Sequence, residues 1–158
     1  MTTTGKSTKK TTETPVRKAK LTKKQIVETI EKTKSKAEEY VHDSQKGRKL
    51  LEDAVKKAKS FEKNRGPLAE VWSYLTALFR LLKAYIRKEY REIAWGSMVL
   101  VIVAILYFVS PLDLIPDIFP GGYVDDAALI AYVVSQIKVD LDNFMAWEVS
   151  RSDDEGTI

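Results

Sequence analysis

The chain of 158 residues has no cysteine, which removes several kinds of chemistry at once. Without a thiol there is no cysteine nucleophile, no disulfide framework and no cysteine-ligated zinc. The single histidine, His42, stands in a highly charged segment and is interpreted as a solvated residue, not a ligand. The sequence also lacks a phosphate-binding glycine loop, a nucleophile elbow and a metal motif containing histidine. These absences favour binding over catalysis.

Charge is distributed unevenly along the chain. Residues 1–64 contain 18 Lys and Arg against 9 Asp and Glu, whereas residues 65–158 contain 8 against 13. A basic first half suggests an anionic surface, such as lipid headgroups or nucleic acid, or simple solvation. Residues 1–20 are rich in Thr and Lys and predict a disordered basic tail. No apolar segment lies near the start of the sequence, so we expect no cleaved secretory signal.

Residues 21–64 predict a charged helical arm. Its apolar and small residues recur at alternating steps of four and three, which is the spacing of a heptad seam. Such a seam suits a partner helix or self-association. Ser44 and Gly47 weaken its middle, so one long helix and a helical hairpin with a turn over residues 42–47 are both open. The seam consists of Ile26, Ile30, Thr33, Ala37, Tyr40, Ser44, Gly47, Leu51, Ala54, Ala58 and Phe61.

An amphipathic helix is predicted after Gly66-Pro67, where proline suits the first helical position. Its wide apolar face fits either a membrane surface or the core of a helical domain. Positive residues accumulate towards its end, and we expect them to bind anionic headgroups. We call them the basic surface: Arg80, Lys83, Arg87, Lys88 and Arg91.

A run of 20 residues without charge extends from Ile93 to Leu112. As a helix it would reach about 30 Å, the thickness of the hydrocarbon core, so it predicts a membrane-inserted helix. Lys and Arg precede this run and none lies between Glu92 and Ile137, which predicts a cytoplasmic N-terminal arm. The alternative is a soluble helical domain in which residues 93–109 form the central buried helix. Trp95, at the start of the run, suits an interfacial belt or core packing.

The segment from Val124 to about Glu148 predicts a C-terminal helix packed against the uncharged run. Its first half is apolar on nearly all sides, and its second half is amphipathic. Eleven uncharged residues over 127–137 are too few to span a bilayer alone, so a buried or re-entrant helix is favoured. Residues 149–158 form an acidic tail, which we expect to be frayed.

Four carboxylates, Asp113, Asp117, Asp125 and Asp126, flank a proline-rich turn between the last two helices. The structural interpretation makes them helix caps and loop-shaping residues, because carboxylates accept the free amide hydrogens of a helix start. The functional interpretation gathers them around Mg²⁺, Ca²⁺ or Mn²⁺, or a shared proton. Capping is favoured, and no other cofactor is expected. A metal site would instead point to an enzyme or a transport protein.

The sequence of this turn also resembles that of a known family. Ser110-Pro111-Leu112-Asp113-Leu114-Ile115-Pro116-Asp117, followed by Pro120, Gly122-Tyr123 and Asp125-Asp126-Ala127, is similar to the signature of the YkvA-like family of small bacterial proteins. The resemblance covers about residues 93–144. It implies a helical, membrane-associated module with no established chemistry, placed in a bacterial inner membrane.

The sequence therefore predicts an all-α protein made of a charged arm (21–64) and a module over 67–148 that contains the amphipathic helix, the inserted helix and the packed C-terminal helix. Its predicted role is membrane-anchored binding or scaffolding. Nucleic-acid binding by the arm is disfavoured, because Tyr40 and Phe61 are its only aromatic residues in the helical part and give no base-stacking platform.

Overall fold

The computed structural model describes residues 23–61, 63, 66–110 and 126–156. Within these ranges the chain forms α-helices and one 3-10 helix, without a strand, so the all-α class is confirmed. The six α-helices are α1 (Lys23–His42), α2 (Ser44–Lys59), α3 (Trp72–Ile86), α4 (Trp95–Val109), α5 (Asp126–Gln136) and α6 (Lys138–Gly156), and the 3-10 helix Gly66–Val71 leads into α3.

The charged arm is two helices separated at Asp43, so the alternative of one long helix is wrong. Asp43 has extended backbone angles, and its carboxylate accepts hydrogen bonds from the amides of Gln45 and Lys46 at 3.0 and 3.2 Å. An acceptor at this position satisfies amides that have no partner inside α2. The predicted turn over residues 42–47 is thus reduced to one residue, and Gly47 lies inside α2.

The two helices of the arm lie along α4 in opposite directions. The ring of His42, at the end of α1, is 4.8 Å from that of Trp95 at the start of α4. The Nζ atom of Lys57, near the end of α2, donates to the carbonyl oxygen of Phe108, near the end of α4, at 2.7 Å. Because α1 also packs along α4 and ends beside the start of α4, α1 runs antiparallel to α4. Helix α2 runs parallel to α4. We call α1 and α2 the hairpin.

Helix α4 is the centre of the molecule. The hairpin, α3 and α5 all pack against it, and residues 101–108 are consecutively buried. Because eight consecutive residues pass more than twice around a helix, α4 has protein on every side. Its packing is that of the central-helix alternative, and its 15 residues are fewer than the 20 of the uncharged run. Within the described ranges, no helix has both the length and the apolar character needed to cross a bilayer.

Helix α3 presents its apolar face to this core. Leu75, Leu78 and Leu82 are buried, as is Phe79, whose ring lies 5.9 Å from that of Phe108. In this structure the apolar face of α3 is therefore core packing, one of the two interpretations that the sequence allows.

The predicted C-terminal helix is divided at Ile137 into α5 and α6. Backbone hydrogen bonds continue across the division, from the amide of Ile137 to the carbonyl of Val133 and from the amide of Leu141 to that of Ile137. The predicted face stays buried through Ile130, Val133, Ile137, Leu141 and Phe144. Helix α6 continues to Gly156, so most of the segment expected to be a frayed acidic tail is helical.

Candidate functional site

The five residues of the basic surface lie in the second half of α3 and in the connection to α4, and all five are exposed. This connection is at the end of the bundle where the hairpin turns. A Cβ atom on Gly47 would lie 3.1 Å from Cδ1 of Ile86, which places the start of α2 against the end of α3. Trp95 and His42 are at the same end.

Two arginines of the basic surface are occupied by carboxylates of the chain itself. Arg80 forms a two-pronged hydrogen bond with Glu148 of α6, at 2.8 and 3.2 Å. Arg87 lies 3.3 Å from Glu89, which also accepts a hydrogen bond from Arg151 of α6 at 3.1 Å. The hydrogen bond from Arg151 lowers the pKa of Glu89, and the positive charges around it add to this effect. Arg80 and, through Glu89, Arg151 therefore link α6 to α3 and the connection that follows it, and both Arg80 and Arg87 offer less free charge than the sequence suggests.

Lys83, Lys88 and Arg91 have no ion pair within the described part of the chain, and their side chains are exposed. The guanidinium of Arg91 lies 4.1 Å from the centroid of the Tyr85 ring, a cation–π contact that orients the charge without neutralising it. These three residues are the part of the basic surface that remains available to an anionic ligand.

Lys88 has an unusual backbone conformation. Its φ is 61°, in the left-handed region that favours glycine. Its amide bonds to the carbonyl of Tyr85 at 3.1 Å and the amide of Glu89 bonds to that of Ala84 at 2.9 Å, the two bonds of a Schellman motif. A lysine thus stands at the position where such motifs usually have glycine, which places its ammonium beyond the end of α3.

Trp95 is the exposed aromatic residue beside this charge. Its side chain is 43% exposed, and a Cβ atom on the next residue, Gly96, would meet no other atom within 4 Å. Trp95 therefore borders open surface. The ring of His42 packs against that of Trp95 in a tilted arrangement, with 4.8 Å between the ring centroids. The start of α4 is also tied to α6 by the hydrogen bond from Ser97 Oγ to Asp140 Oδ2.

An aromatic cluster supports the same end from within. Tyr90 lies against Phe144 and Trp147 at 5.2 and 5.1 Å between ring centroids. Burial raises the pKa of the Tyr90 hydroxyl, and the negative charges of Glu92 and Asp140 raise it further. The hydroxyl is therefore neutral at ordinary pH and serves packing.

The carboxylates predicted as an ion site cannot be placed. Asp113, Asp117 and Asp125 lie outside the described residues, as does the predicted proline-rich turn. Asp126 is the first residue of α5, but its side chain is likewise not described. In the part of the chain that the structure describes, no three His, Asp or Glu residues are grouped as metal ligands. The ion site remains a prediction, tested by calorimetric titration with Mn²⁺ or Ca²⁺ before and after Asp125 and Asp126 become Asn.

Lys57 is a residue whose role the sequence did not indicate. Its ammonium caps the carbonyl end of α4 through Phe108 and lies 5.3 Å from the centroid of the Phe108 ring. A cation at this position offsets the negative end of the α4 dipole. The two residues are 51 positions apart, so no local pattern could have linked them.

Comparison with known proteins gives the family. A family model described as "Protein of unknown function (DUF1232)" matches residues 97–132, which contain most of α4 and the beginning of α5. The "Uncharacterized membrane protein YkvA" of Bacillus subtilis (strain 168) is 34% identical over 77 residues, which are 48% of this chain and 73% of the relative. This chain belongs to the DUF1232 family. The YkvA-like resemblance is thereby confirmed. The hairpin precedes the DUF1232 match, and no solved structure matches the chain.

Proposed function

We propose that this DUF1232 protein is a membrane-associated binding or scaffolding protein that contacts anionic headgroups through Lys83, Lys88 and Arg91. The observation that carries the proposal is the exposure of these three cations beside Trp95 at one end of the bundle. Tryptophan favours the interface between headgroups and hydrocarbon, and lysine and arginine favour anionic lipid. The relative's name, a membrane protein, agrees with such a location.

The expected affinity follows from the number of available cations. Each Lys or Arg near an anionic leaflet contributes about 1 kcal/mol, so three contribute about 3 kcal/mol. This is roughly a hundredfold in the binding constant, since about 1.4 kcal/mol is a factor of ten. The paired Arg80 and Arg87 add less, because contact with lipid would compete with Glu148 and Glu89.

We further propose that α4 supplies the contact with the hydrocarbon layer. The run from Ile93 to Leu112 contains 11 Leu, Ile, Val and Phe residues and no charge. On a biological insertion scale these residues favour the bilayer by about 3 to 7 kcal/mol in total. The basic surface directly precedes this run, so both contacts can form at one interface.

Flotation of the full chain with vesicles tests the headgroup contact. We expect the protein to float with equal mixtures of phosphatidylglycerol and phosphatidylcholine and to stay behind with phosphatidylcholine alone. The variant Lys83→Gln/Lys88→Gln/Arg91→Gln should bind the anionic vesicles about a hundredfold more weakly. The charge-preserving control Lys83→Arg/Lys88→Arg/Arg91→Lys should bind as the wild type does. Equal flotation with neutral and anionic vesicles, or full binding by the glutamine variant, would contradict the proposal.

A further inference from the structure

The structure closes α4 inside the bundle, whereas the proposed function places α4 in contact with lipid. We propose that the hairpin is a removable cover that separates from α4 when the protein binds a membrane. The surface of α4 that the hairpin covered then contacts the hydrocarbon layer. This inference rests on the proposed function and specifies which helices separate.

The hairpin covers α4 with small and polar side chains. The buried residues of α1 include Thr29, Thr33 and Ala37, with only Ile26 and Ile30 as large apolar side chains. The buried residues of α2 are Gly47, Ala54 and Ala58, with Leu50 as its single large one. Partly buried Tyr40, Val41, Leu51 and Phe61 add to this interface, and most of the apolar area that separation exposes belongs to α4, where the hydrocarbon layer would cover it.

The two buried threonines do not bind α1 to its neighbours. The Thr29 hydroxyl donates to the carbonyl oxygen of Gln25 at 2.8 Å, and the Thr33 hydroxyl donates to that of Thr29 at 2.6 Å. Both acceptors belong to α1 itself. Because these hydrogen bonds move with the helix, separation leaves neither hydroxyl unsatisfied.

The other helices around α4 are held by larger side chains. Helix α3 buries Leu75, Leu78, Phe79, Leu81 and Leu82, and α5 buries Leu129, Ile130 and Val133. Helix α6 is fastened to α3 by the ion pair of Arg80 with Glu148. The hairpin is therefore the side of the bundle that opens, and its opening breaks the hydrogen bond from Lys57 to the carbonyl oxygen of Phe108.

The outer face of the hairpin suits the headgroup layer once it has moved. Residues 23–59 contain 11 Lys and Arg against 7 Asp and Glu. Both helices are amphipathic, with charged residues opposite the face that contacts α4. An amphipathic helix rich in lysine lies in the interface with its apolar face towards the acyl chains. Both α4 and the separated hairpin can therefore contact the membrane.

Distances between spin labels test the separation directly, since the chain has no cysteine of its own. Labels at Glu28→Cys in α1 and Asn143→Cys in α6 replace two exposed side chains and leave the core intact. We expect one narrow distance distribution in buffer, and a longer, broader one with vesicles of phosphatidylglycerol and phosphatidylcholine. A control pair at Ser73→Cys and Asn143→Cys, in α3 and α6, should keep its distance.

A reversible lock provides an independent test. A Cβ atom at position 47 would contact the Ile86 side chain, so Gly47→Cys/Ile86→Cys places two thiols within reach of each other. The C-terminal end of α2 is already connected to α3 through the chain. A disulfide at its N-terminal end therefore leaves α2 restrained at both ends. We expect a lipid with a photoactivatable acyl chain to label α4 strongly in the reduced protein and several-fold less in the oxidised one. The single variant Gly47→Cys should be labelled regardless of oxidation.

The outcomes separate this inference from the proposed function. Failure of the wild type to bind anionic vesicles overturns the proposed function and, with it, the cover. Vesicle binding with an unchanged distance between α1 and α6 overturns the cover alone. Equal labelling of α4 in the reduced and oxidised double variant does the same.

Discussion

Lys88 ends α3 in a backbone conformation that most side chains avoid, with a φ of 61°. A non-glycine residue in the left-handed region costs about 1 to 2 kcal/mol. Glycine removes this strain, but its greater freedom in the unfolded chain offsets part of the gain in stability. Strain of this kind tends to persist where a side chain is needed. We infer that the strain at Lys88 is retained because it holds the Lys88 ammonium beyond the end of α3.

The variant Lys88→Gly should therefore be more stable and bind lipid less well. We expect the free energy of unfolding to rise by up to about 1 kcal/mol in urea denaturation. Affinity for anionic vesicles should fall about fivefold, which corresponds to the loss of about 1 kcal/mol from one cation. Lys83→Gly is the matched control, because glycine inside α3 should destabilise by about 1 kcal/mol. A loss of stability in Lys88→Gly would show that the lysine is not strained.

Glu89 gives a second test at the residue scale. Arg151 lowers the pKa of Glu89 in the folded protein, so ionised Glu89 stabilises the fold above the ordinary glutamate pKa. That contribution disappears as the pH falls through the lowered pKa of the folded state. In an NMR titration, Arg151→Gln should shift the pKa of Glu89 upwards, towards its ordinary value. Arg80→Gln, which removes the partner of Glu148, should leave the Glu89 titration unchanged, and a Glu89 pKa insensitive to Arg151→Gln would refute the assigned cause.

At the scale of helices, the division of the hairpin depends on the cap that begins α2. Asp43 accepts two amide hydrogen bonds, whereas Asp53 forms an exposed ion pair with Lys49 at 3.0 Å. We expect Asp43→Ala to lower the free energy of unfolding by about 1 kcal/mol and Asp53→Ala to lower it by less than about 0.5 kcal/mol. Urea denaturation of both variants measures the difference, and equal losses would show that the cap does not define the helix boundary.

Periodicity predicted which faces are buried, but not what buries them. Seven of the eleven seam residues are buried, but Ser44 is exposed, and Leu50, which is not in the seam, is buried where the seam has the half-buried Leu51. The buried seam residues pack against α4 and, in α2, also against α3 of the same chain, and spacing alone cannot distinguish a neighbour in the chain from a second molecule. The self-association that the seam also suggested stays a prediction.

Which cations of the basic surface are paired depends on how the helices cross. The exposure of Lys83 follows from the amphipathic pattern of α3, whereas Lys88 and Arg91 lie in the connection beyond its end. The pairing of Arg80 with Glu148 does not, because 68 residues separate them and the pair depends on how α6 crosses α3. The division of the last helix at Ile137 also had no signal, since neither glycine nor proline stands there.

At the scale of the whole molecule, the proposal gives the chain a defined orientation. The cations that precede α4 favour the cytoplasmic side of a bacterial inner membrane, so the hairpin is expected there as well. Protease added to intact spheroplasts should then leave the hairpin uncut, while the same protease should cut it after lysis. Rapid digestion of the hairpin in intact spheroplasts would reverse the orientation.

We propose that α4, enclosed by helices in this structure, is held by the hydrocarbon layer in the membrane-bound protein. Washing membranes that carry the full chain with carbonate at high pH tests this claim most directly, because it removes proteins held only by charge. We expect the protein to remain in the membrane pellet. Its release into the supernatant would show that headgroup contacts alone attach it and that α4 stays inside the bundle.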